Sequence, residues 1–157
     1  MKHHMQSWFL LTVLLLVAAP TTAAEKMVIY TVNYPLQYFA ERIGGQHVDV
    51  HFPAPKGVDP AFWKPDVKTI GQYQQADLIL LNGANYAKWI NQVSLPRLRT
   101  VDTSRGFGDQ LIKVSAGATH SHGPSGDHSH SGTAFTTWLD PQLASLQAKA
   151  IRDALIK

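Results

Sequence analysis

Apolar residues follow two patterns along the chain, one typical of strands and one typical of helices. Short apolar runs rich in β-branched residues predict buried strands at 26–32 and 76–83. An apolar–polar alternation predicts a half-buried strand at 47–52. Two weaker strand patterns occur in RTVDTS and QLIKVS. Five strands are therefore predicted, distributed between residues 26 and 115.

Helical patterns lie between and after these strands. Apolar positions three and four residues apart predict helices in YPLQYFAERIGG, from Asp66 to Gln75, in ANYAKWINQV and from Asp140 onwards. Asp140 is expected at the N-cap of the last helix, with Pro141 at its first position. Strand–helix–strand order with single-helix crossovers predicts an α/β fold, a mainly parallel sheet with helices on both faces. Ligands in such folds bind at the carboxyl edge of the sheet.

The segment 116–135 has no periodicity and contains two His-Ser-His triplets, His120/His122 and His128/His130. In extended backbone, residues i and i+2 point to the same side, so each triplet can offer two imidazoles to one ion. The Gly-Pro-Ser-Gly-Asp between them lets the chain fold back, and four neutral imidazoles can complete a tetrahedral zinc shell. We predict these four histidines as metal ligands. The alternative is a polar linker whose histidines have no task.

The first 24 residues have the layout of a secretory signal peptide, with a basic start, an apolar run and small residues up to Ala24, after which cleavage is expected. The alternative, a membrane anchor, needs about 20 apolar residues, and this run is shorter. His3 and His4 leave with the signal peptide. The mature product is therefore expected outside the cytoplasm.

Composition narrows the chemistry. The chain has no cysteine, so a metal must be held by nitrogen and oxygen ligands, which suits Zn²⁺ or Mn²⁺. The formal net charge is +3, and no basic stripe with interleaved aromatic residues predicts nucleic-acid binding. No nucleophile elbow, metalloprotease helix or phosphate loop is present. The chain is expected to bind rather than to catalyse, and to act as a monomer.

Several segments, taken in order, resemble the periplasmic metal-binding proteins of zinc- and manganese-type ABC importers. They are TVNYPLQYFAERIGGQHVDV, GVDPAFWKPD, IGQYQQADLILLNGANYAKW, the His-rich insertion and TWLDP, which together cover nearly all of the mature chain. The resemblance implies one α/β lobe of a two-lobed receptor, in which a long helix links the lobes and a divalent metal lies in the cleft. It also implies that the metal passes to an ABC importer permease in the membrane.

Two positions depart from that family's pattern. Its members usually carry a histidine directly after the Asp-Pro of the first loop and another two residues before the Trp of WLDP. This chain has Ala61 and Thr136 there. Alanine offers no donor atom and a neutral threonine hydroxyl is a poor zinc ligand, so we carry neither position over as a metal ligand.

The predicted organisation is a signal peptide at 1–24, an N-terminal lobe at 25–139 that includes the His-rich loop 116–134, and the start of the linking helix at 140–157. We expect the chain to be a truncated part of a longer two-lobe protein. The last helix carries an apolar stripe that needs a partner surface, formed by Leu143, Leu146, Ile151, Ala154 and Leu155. The alternative is that this stripe packs back on the same lobe.

Smaller candidates lie in the loops and at one strand. Asp59, Trp63 and Asp66 are expected near the sheet edge, where packing is the favoured role for Trp63 and helix capping for Asp66. His47 and His51 are expected on one face of a strand, four residues apart, and a solvated face is favoured over a metal pair.

The sequence thus predicts an exported, periplasmic protein that captures Zn²⁺, with Mn²⁺ as the alternative ion, for an ABC-type importer. The second hypothesis is a metal-independent solute-binding or interaction module that has lost the family's cleft ligands. Ala61 and Thr136 are the residues that favour it.

Overall fold

The structure of the chain is a computed structural model that describes residues 25–114, 119–121, 127–129 and 132–156. For 119–121 and 127–129 the description covers the backbone. The predicted signal peptide at 1–24 lies outside the described residues. Within these ranges, none of the helices combines the length and the apolar character that a membrane crossing requires.

In the described part of the chain, four parallel strands form the central sheet in the order β2-β1-β3-β4. The strands are β1 Met27–Thr31, β2 Val48–His51, β3 Leu78–Leu81 and β4 Thr100–Asp102. Ile29 of β1 is paired with Val50 on one side and with Leu78 on the other. The predicted parallel α/β sheet is confirmed, with a strand at each of these four predicted positions.

The α-helices of the described residues are α1 Tyr34–Gly44, α2 Val67–Gln75 and α3 Pro141–Leu155. The β1-to-β2 and β2-to-β3 connections run in opposite directions across the sheet. Because such crossovers are right-handed, α1 and α2 lie on opposite faces. Short 3-10 segments lie between the other elements, at Gly45–His47, Lys88–Gln92, Arg97–Arg99, Arg105–Gln110, which is kinked at Phe107, and Thr137–Leu139.

Side-chain caps begin the helices at the predicted places. Asp66 Oδ1 accepts a hydrogen bond from the Thr69 backbone N–H at 2.7 Å, which begins α2. Asp140 Oδ1 accepts from the Gln142 N–H at 2.8 Å, and Pro141 occupies the first helical position of α3. The hydrogen bonds from Thr69 also hold the pKa of Asp66 below its ordinary value.

The hydrophobic core lies between the sheet and the helices. Its fully buried apolar side chains include Ile29, Leu36, Ile79 and Leu80. α3 packs against α1, so that Ile151 is fully buried while Ala154 and Leu155 are packed against the core. Much of the predicted apolar stripe therefore packs back on this lobe, although Leu146 is 38% exposed.

Two predicted elements take a different form. QLIKVS contributes only β5, Lys113–Val114, which pairs antiparallel with β8, Gly132–Thr133, instead of joining the parallel sheet. ANYAKWINQV does not form an α-helix, and its regular part is the 3-10 turn Lys88–Gln92. The reason is local, because Gly83 and the two residues after it have positive φ, which no right-handed helix accepts.

The segment 116–135, which has no periodicity, nevertheless contains a hairpin. Strand β6, Thr119–Ser121, pairs antiparallel with β7, Asp127–Ser129. The expectation of an unpatterned loop is therefore wrong for these six residues. Strand pairing is made by main-chain N–H and C=O groups, so a ladder can form where the sequence shows no apolar alternation.

Candidate functional site

A buried pair of asparagines joins the carboxyl ends of β1 and β3. Asn33 Nδ2 donates to Asn82 Oδ1 at 3.1 Å, and Asn33 Oδ1 accepts from the Leu36 N–H at 3.1 Å, which begins α1. Asn82 Nδ2 donates to the carbonyl oxygen of Phe135 at 2.9 Å. Two strand ends, a helix start and the segment before α3 therefore meet at one point.

Gln147 of α3 ties the last helix to the same edge. Its side chain is fully buried, and Nε2 donates to Thr103 Oγ1 at 2.9 Å and to Asn82 Oδ1 at 3.2 Å. Its Oε1 accepts from Thr137 Oγ1 at 3.1 Å. Among the described side chains no buried polar atom lacks a hydrogen-bond partner, so this polar cluster is satisfied and holds α3 in one register.

The first loop of the edge, after β2, is turned by Asp59. Its Oδ1 accepts from the Ala61 N–H at 2.9 Å, and its carbonyl oxygen accepts from the N–H groups of Phe62 and Trp63. The Ala61 carbonyl oxygen accepts from the Lys88 N–H at 3.1 Å, and the Ala61 side chain is fully buried. The loop is thus fastened to the segment that follows β3.

Aromatic side chains join this loop to the segment before α3. The ring of Phe62 contacts that of Phe135 edge to face, with 6.4 Å between centroids. Tyr86 contacts Phe135 at 5.3 Å and Trp138 at 5.5 Å. Burial of Tyr86, and secondarily the Asp59 carboxylate, raise the pKa of its hydroxyl. Ala61 and Thr136, each one residue from a ring of this cluster, therefore belong to the same part of the edge.

Two further polar groups of this part of the edge are the Thr136 hydroxyl and the Lys88 ammonium. Thr136 is exposed, whereas the half-buried Lys88 has its Nζ 5.8 Å from the centroid of the Phe135 ring. Desolvation lowers the pKa of Lys88. An open groove of about 850 Å³ lies beside Thr136, with Ile112 and Leu139 among its lining residues.

The histidine hairpin is defined as β6 and β7 with the residues between them. Its backbone register pairs His120 directly with His128. The β5–β8 ladder flanks the hairpin in sequence, and beside this ladder the Ala134 N–H donates a 2.8 Å hydrogen bond to the Ile112 carbonyl oxygen. Strand β8 ends three residues before Thr136. His122 and His130 lie outside the described residues.

The sequence profile of a protein family shows which family the chain belongs to. The family described as zinc-uptake complex component A, periplasmic (ZnuA), matches residues 29–157. The chain belongs to this family. The match includes the whole parallel sheet from Ile29 onwards, the edge described above and the hairpin.

Known zinc-binding and zinc-uptake proteins of bacteria are similar along most of this chain. The zinc-binding lipoprotein AdcA of Streptococcus pneumoniae is 28% identical over 138 residues, which are 85% of this chain and 27% of AdcA. The high-affinity zinc uptake system protein ZnuA of Bacillus subtilis is 29% identical over 144 residues, which are 85% of this chain and 42% of that protein. The chain thus spans less than half the length of these relatives.

Solved structures share the fold. Zn(II)-bound AdcA from Streptococcus pneumoniae superposes with a TM-score of 0.62 at 22% identity, over 83% of this chain and 26% of that one. A mutant of the Mn-bound periplasmic metal-binding protein from Candidatus Liberibacter asiaticus gives a TM-score of 0.65 at 20% identity, over 83% and 44%. At these identities the likeness establishes the fold alone.

The edge residues of this family member do not fit a divalent metal. Ala61 has no donor atom and is fully buried, and Thr136 offers a neutral hydroxyl. Within the described ranges, no three histidine, aspartate or glutamate side chains come together as a metal site. The hairpin differs in its chemistry, since imidazole is a preferred zinc ligand.

The expectation that His47 and His51 share a strand face is wrong. His47 ends the 3-10 turn before β2, so the strand alternation does not reach it. His51 stacks on Tyr30 with 4.9 Å between ring centroids, and its Nε2 lies 3.1 Å from Asp49 Oδ2. His51 thus packs on Tyr30 and contacts a partly exposed carboxylate, which supports a structural role.

Sequence patterns missed Lys88 and Gln147. Lys88 occurs in a segment assigned to a helix, where a lysine indicates a solvated face. Gln147 lies four residues from both Leu143 and Ile151, on the apolar stripe of α3. This position could have identified Gln147 from the sequence, because a polar residue on a buried apolar stripe needs buried hydrogen-bond partners.

Proposed function

We propose that the chain is the metal-capturing lobe of an exported zinc receptor that serves an ABC-type importer, and that the histidine hairpin binds Zn²⁺. Mn²⁺ is the second candidate ion. Binding involves no covalent change, so the protein is not an enzyme. It acts as a monomer in the periplasm, after loss of residues 1–24, and passes the ion to the importer's permease.

The observation that carries the proposal is the register of His120 opposite His128 in a member of the zinc-uptake family. Directly opposed residues of an antiparallel pair share a face of the ladder, with Cβ atoms about 4.5–5.5 Å apart. Two imidazoles at such a position can ligate one ion at about 2.0–2.1 Å. His122 and His130, the second histidine of each His-Ser-His triplet, are proposed to complete the shell.

Two further observations support zinc. The curated relatives are named for zinc binding or zinc uptake, and one structural relative was solved with Zn(II). The Mn-bound relative is the reason to keep Mn²⁺ as the second ion. Zn²⁺ is ranked before Mn²⁺ because imidazole-rich sites prefer zinc to manganese.

Equilibrium dialysis tests the proposal. The chain 25–157 should bind Zn²⁺ at neutral pH, and a variant lacking residues 116–134 should lose that binding. The matched control replaces Ser121 and Ser129 by alanine, which keeps the hairpin and its histidines, and should bind like the parent. Equal binding with and without 116–134 would remove the hairpin from the proposal.

A metal-independent solute is the second candidate ligand, favoured by the open groove beside Thr136. Its volume is within the range of about 300–1,000 Å³ that small-molecule pockets occupy. A thermal-shift screen separates the two candidates, because only a ligand that binds the folded state raises the unfolding temperature. Stabilisation by zinc supports the first, and stabilisation by an organic solute alone supports the second.

A further inference from the structure

Lys88 lies between the two segments that carry Ala61 and Thr136. Its backbone N–H donates to the Ala61 carbonyl oxygen at 3.1 Å, which fixes its Cα beside the first loop. Its Nζ lies 5.8 Å from the centroid of Phe135, the residue directly before Thr136. The side chain thus spans this part of the edge from one segment to the other.

The ammonium of Lys88 makes no ion pair with any carboxylate of the described residues. The Asp59 carboxylate, which influences Tyr86 on the same edge, uses Oδ1 to accept the Ala61 N–H. The face of an aromatic ring attracts a cation, so Phe135 holds the ammonium in place without neutralising it. The ammonium of Lys88 is therefore a positive charge on this edge that is not in an ion pair with any described carboxylate.

This charge opposes metal binding at the edge. A divalent cation within a few ångströms of an ammonium is repelled, and partial burial strengthens the repulsion because water screens it less. The missing donor at Ala61 and the weak donor at Thr136 do not offset that repulsion.

We infer that Lys88 is a specificity-determining residue, whose built-in cation excludes divalent metal ions from the carboxyl edge of the sheet and confines metal binding to other parts of the chain. The inference concerns the edge alone and holds whether or not the histidine hairpin binds zinc.

The experiment uses the chain 25–157 with the four hairpin histidines replaced by alanine, so that the proposed hairpin site is silent. Thr136→His then adds an imidazole at an exposed position of the edge that also carries the Asp59 carboxylate. Zinc affinity is measured by isothermal titration calorimetry for Thr136→His alone and combined with Lys88→Met, Lys88→Gln or Lys88→Arg. Circular dichroism confirms that each variant is folded.

Removing the charge should raise zinc affinity at least tenfold. The two variants with a neutral residue at 88, Thr136→His with Lys88→Met or with Lys88→Gln, are expected to bind zinc. The two variants that keep a positive charge at 88 are Thr136→His alone and Thr136→His with Lys88→Arg, and these should bind zinc at least tenfold more weakly. Equal affinity of the neutral and charged variants, including no binding by either, would overturn the inference. Since the hairpin histidines are absent throughout, this result is independent of the hairpin's own role.

Discussion

Replacing Gln147 by leucine should destabilise the fold, because it removes a side-chain amide that is hydrogen-bonded to residues after β3 and β4 and to the segment before α3. The two side chains are similar in volume, so a cavity contributes little. The change removes the hydrogen bonds to Thr103 Oγ1 at 2.9 Å and Asn82 Oδ1 at 3.2 Å, and the one from Thr137 Oγ1 at 3.1 Å.

The partners that remain limit the loss. Thr103 still donates to the Leu81 carbonyl oxygen, and Asn82 Oδ1 still accepts from Asn33. The Thr137 hydroxyl keeps only a 3.4 Å contact with Asn82 Oδ1. A net hydrogen bond is worth about 0.5–1.5 kcal/mol and a stranded buried group costs about 1–3 kcal/mol, so we expect the free energy of unfolding to fall by about 2–3 kcal/mol.

Urea unfolding of the metal-free chain 25–157, followed by tryptophan fluorescence, measures this loss by linear extrapolation. Gln142→Leu is the matched control, since Gln142 is exposed on the same helix. The control should change the free energy by less than about 0.5 kcal/mol. A similar effect of the two substitutions would refute the structural role assigned to Gln147.

Three further changes test other parts of the structure. Gly83→Ala should cost at least about 1–3 kcal/mol in urea unfolding, because its Cβ would overlap Asp102 and Ser104 at a φ of +73°. The matched Gly71→Ala in α2, where the added Cβ meets open space, should instead stabilise by about 0.5–1 kcal/mol. The lowered pKa of Asp66 means that its ionised cap stabilises the fold above the ordinary aspartate pKa, and that this contribution is lost as pH falls through the folded-state pKa. The unfolding temperature of the parent should therefore exceed that of Asp66→Asn by an amount that becomes smaller as the pH is lowered into the acid range. A difference in unfolding temperature that does not change with pH would contradict this role of the Asp66 carboxylate. Zinc affinity measured by calorimetry should fall at least tenfold from about pH 7 to about pH 5.5 as imidazoles are protonated, and a flat profile would exclude histidine ligands.

The sheet and its helices follow from patterns that are local in the sequence. The β-branched runs at β1 and β3 and the caps at Asp66 and Asp140 each depend on residues within one element or its flank. Such patterns predict a helix or strand because the backbone conformation of the element is determined by the element's own side chains and by the burial of its apolar face. The parallel sheet and the three α-helices of the described residues were therefore predictable from the chain alone.

The edge was not predictable in the same way, because its contacts join distant segments. Gln147 meets Asn82 and Thr103, which are 65 and 44 residues away in sequence. Lys88 lies over Phe135, and QLIKVS pairs with a strand beyond the hairpin instead of joining the sheet. In each case the partner is decided by tertiary packing, which periodicity does not encode.

Histidine side-chain NMR of the chain 25–157, titrated with Zn²⁺ at neutral pH, tests the central claim most directly. We predict that the imidazole resonances of His120 and His128 shift together and saturate at the same zinc concentration, while those of His47 and His51 stay unchanged. If the hairpin resonances do not respond to zinc, or if only those of His47 and His51 respond, the hairpin is not the zinc site.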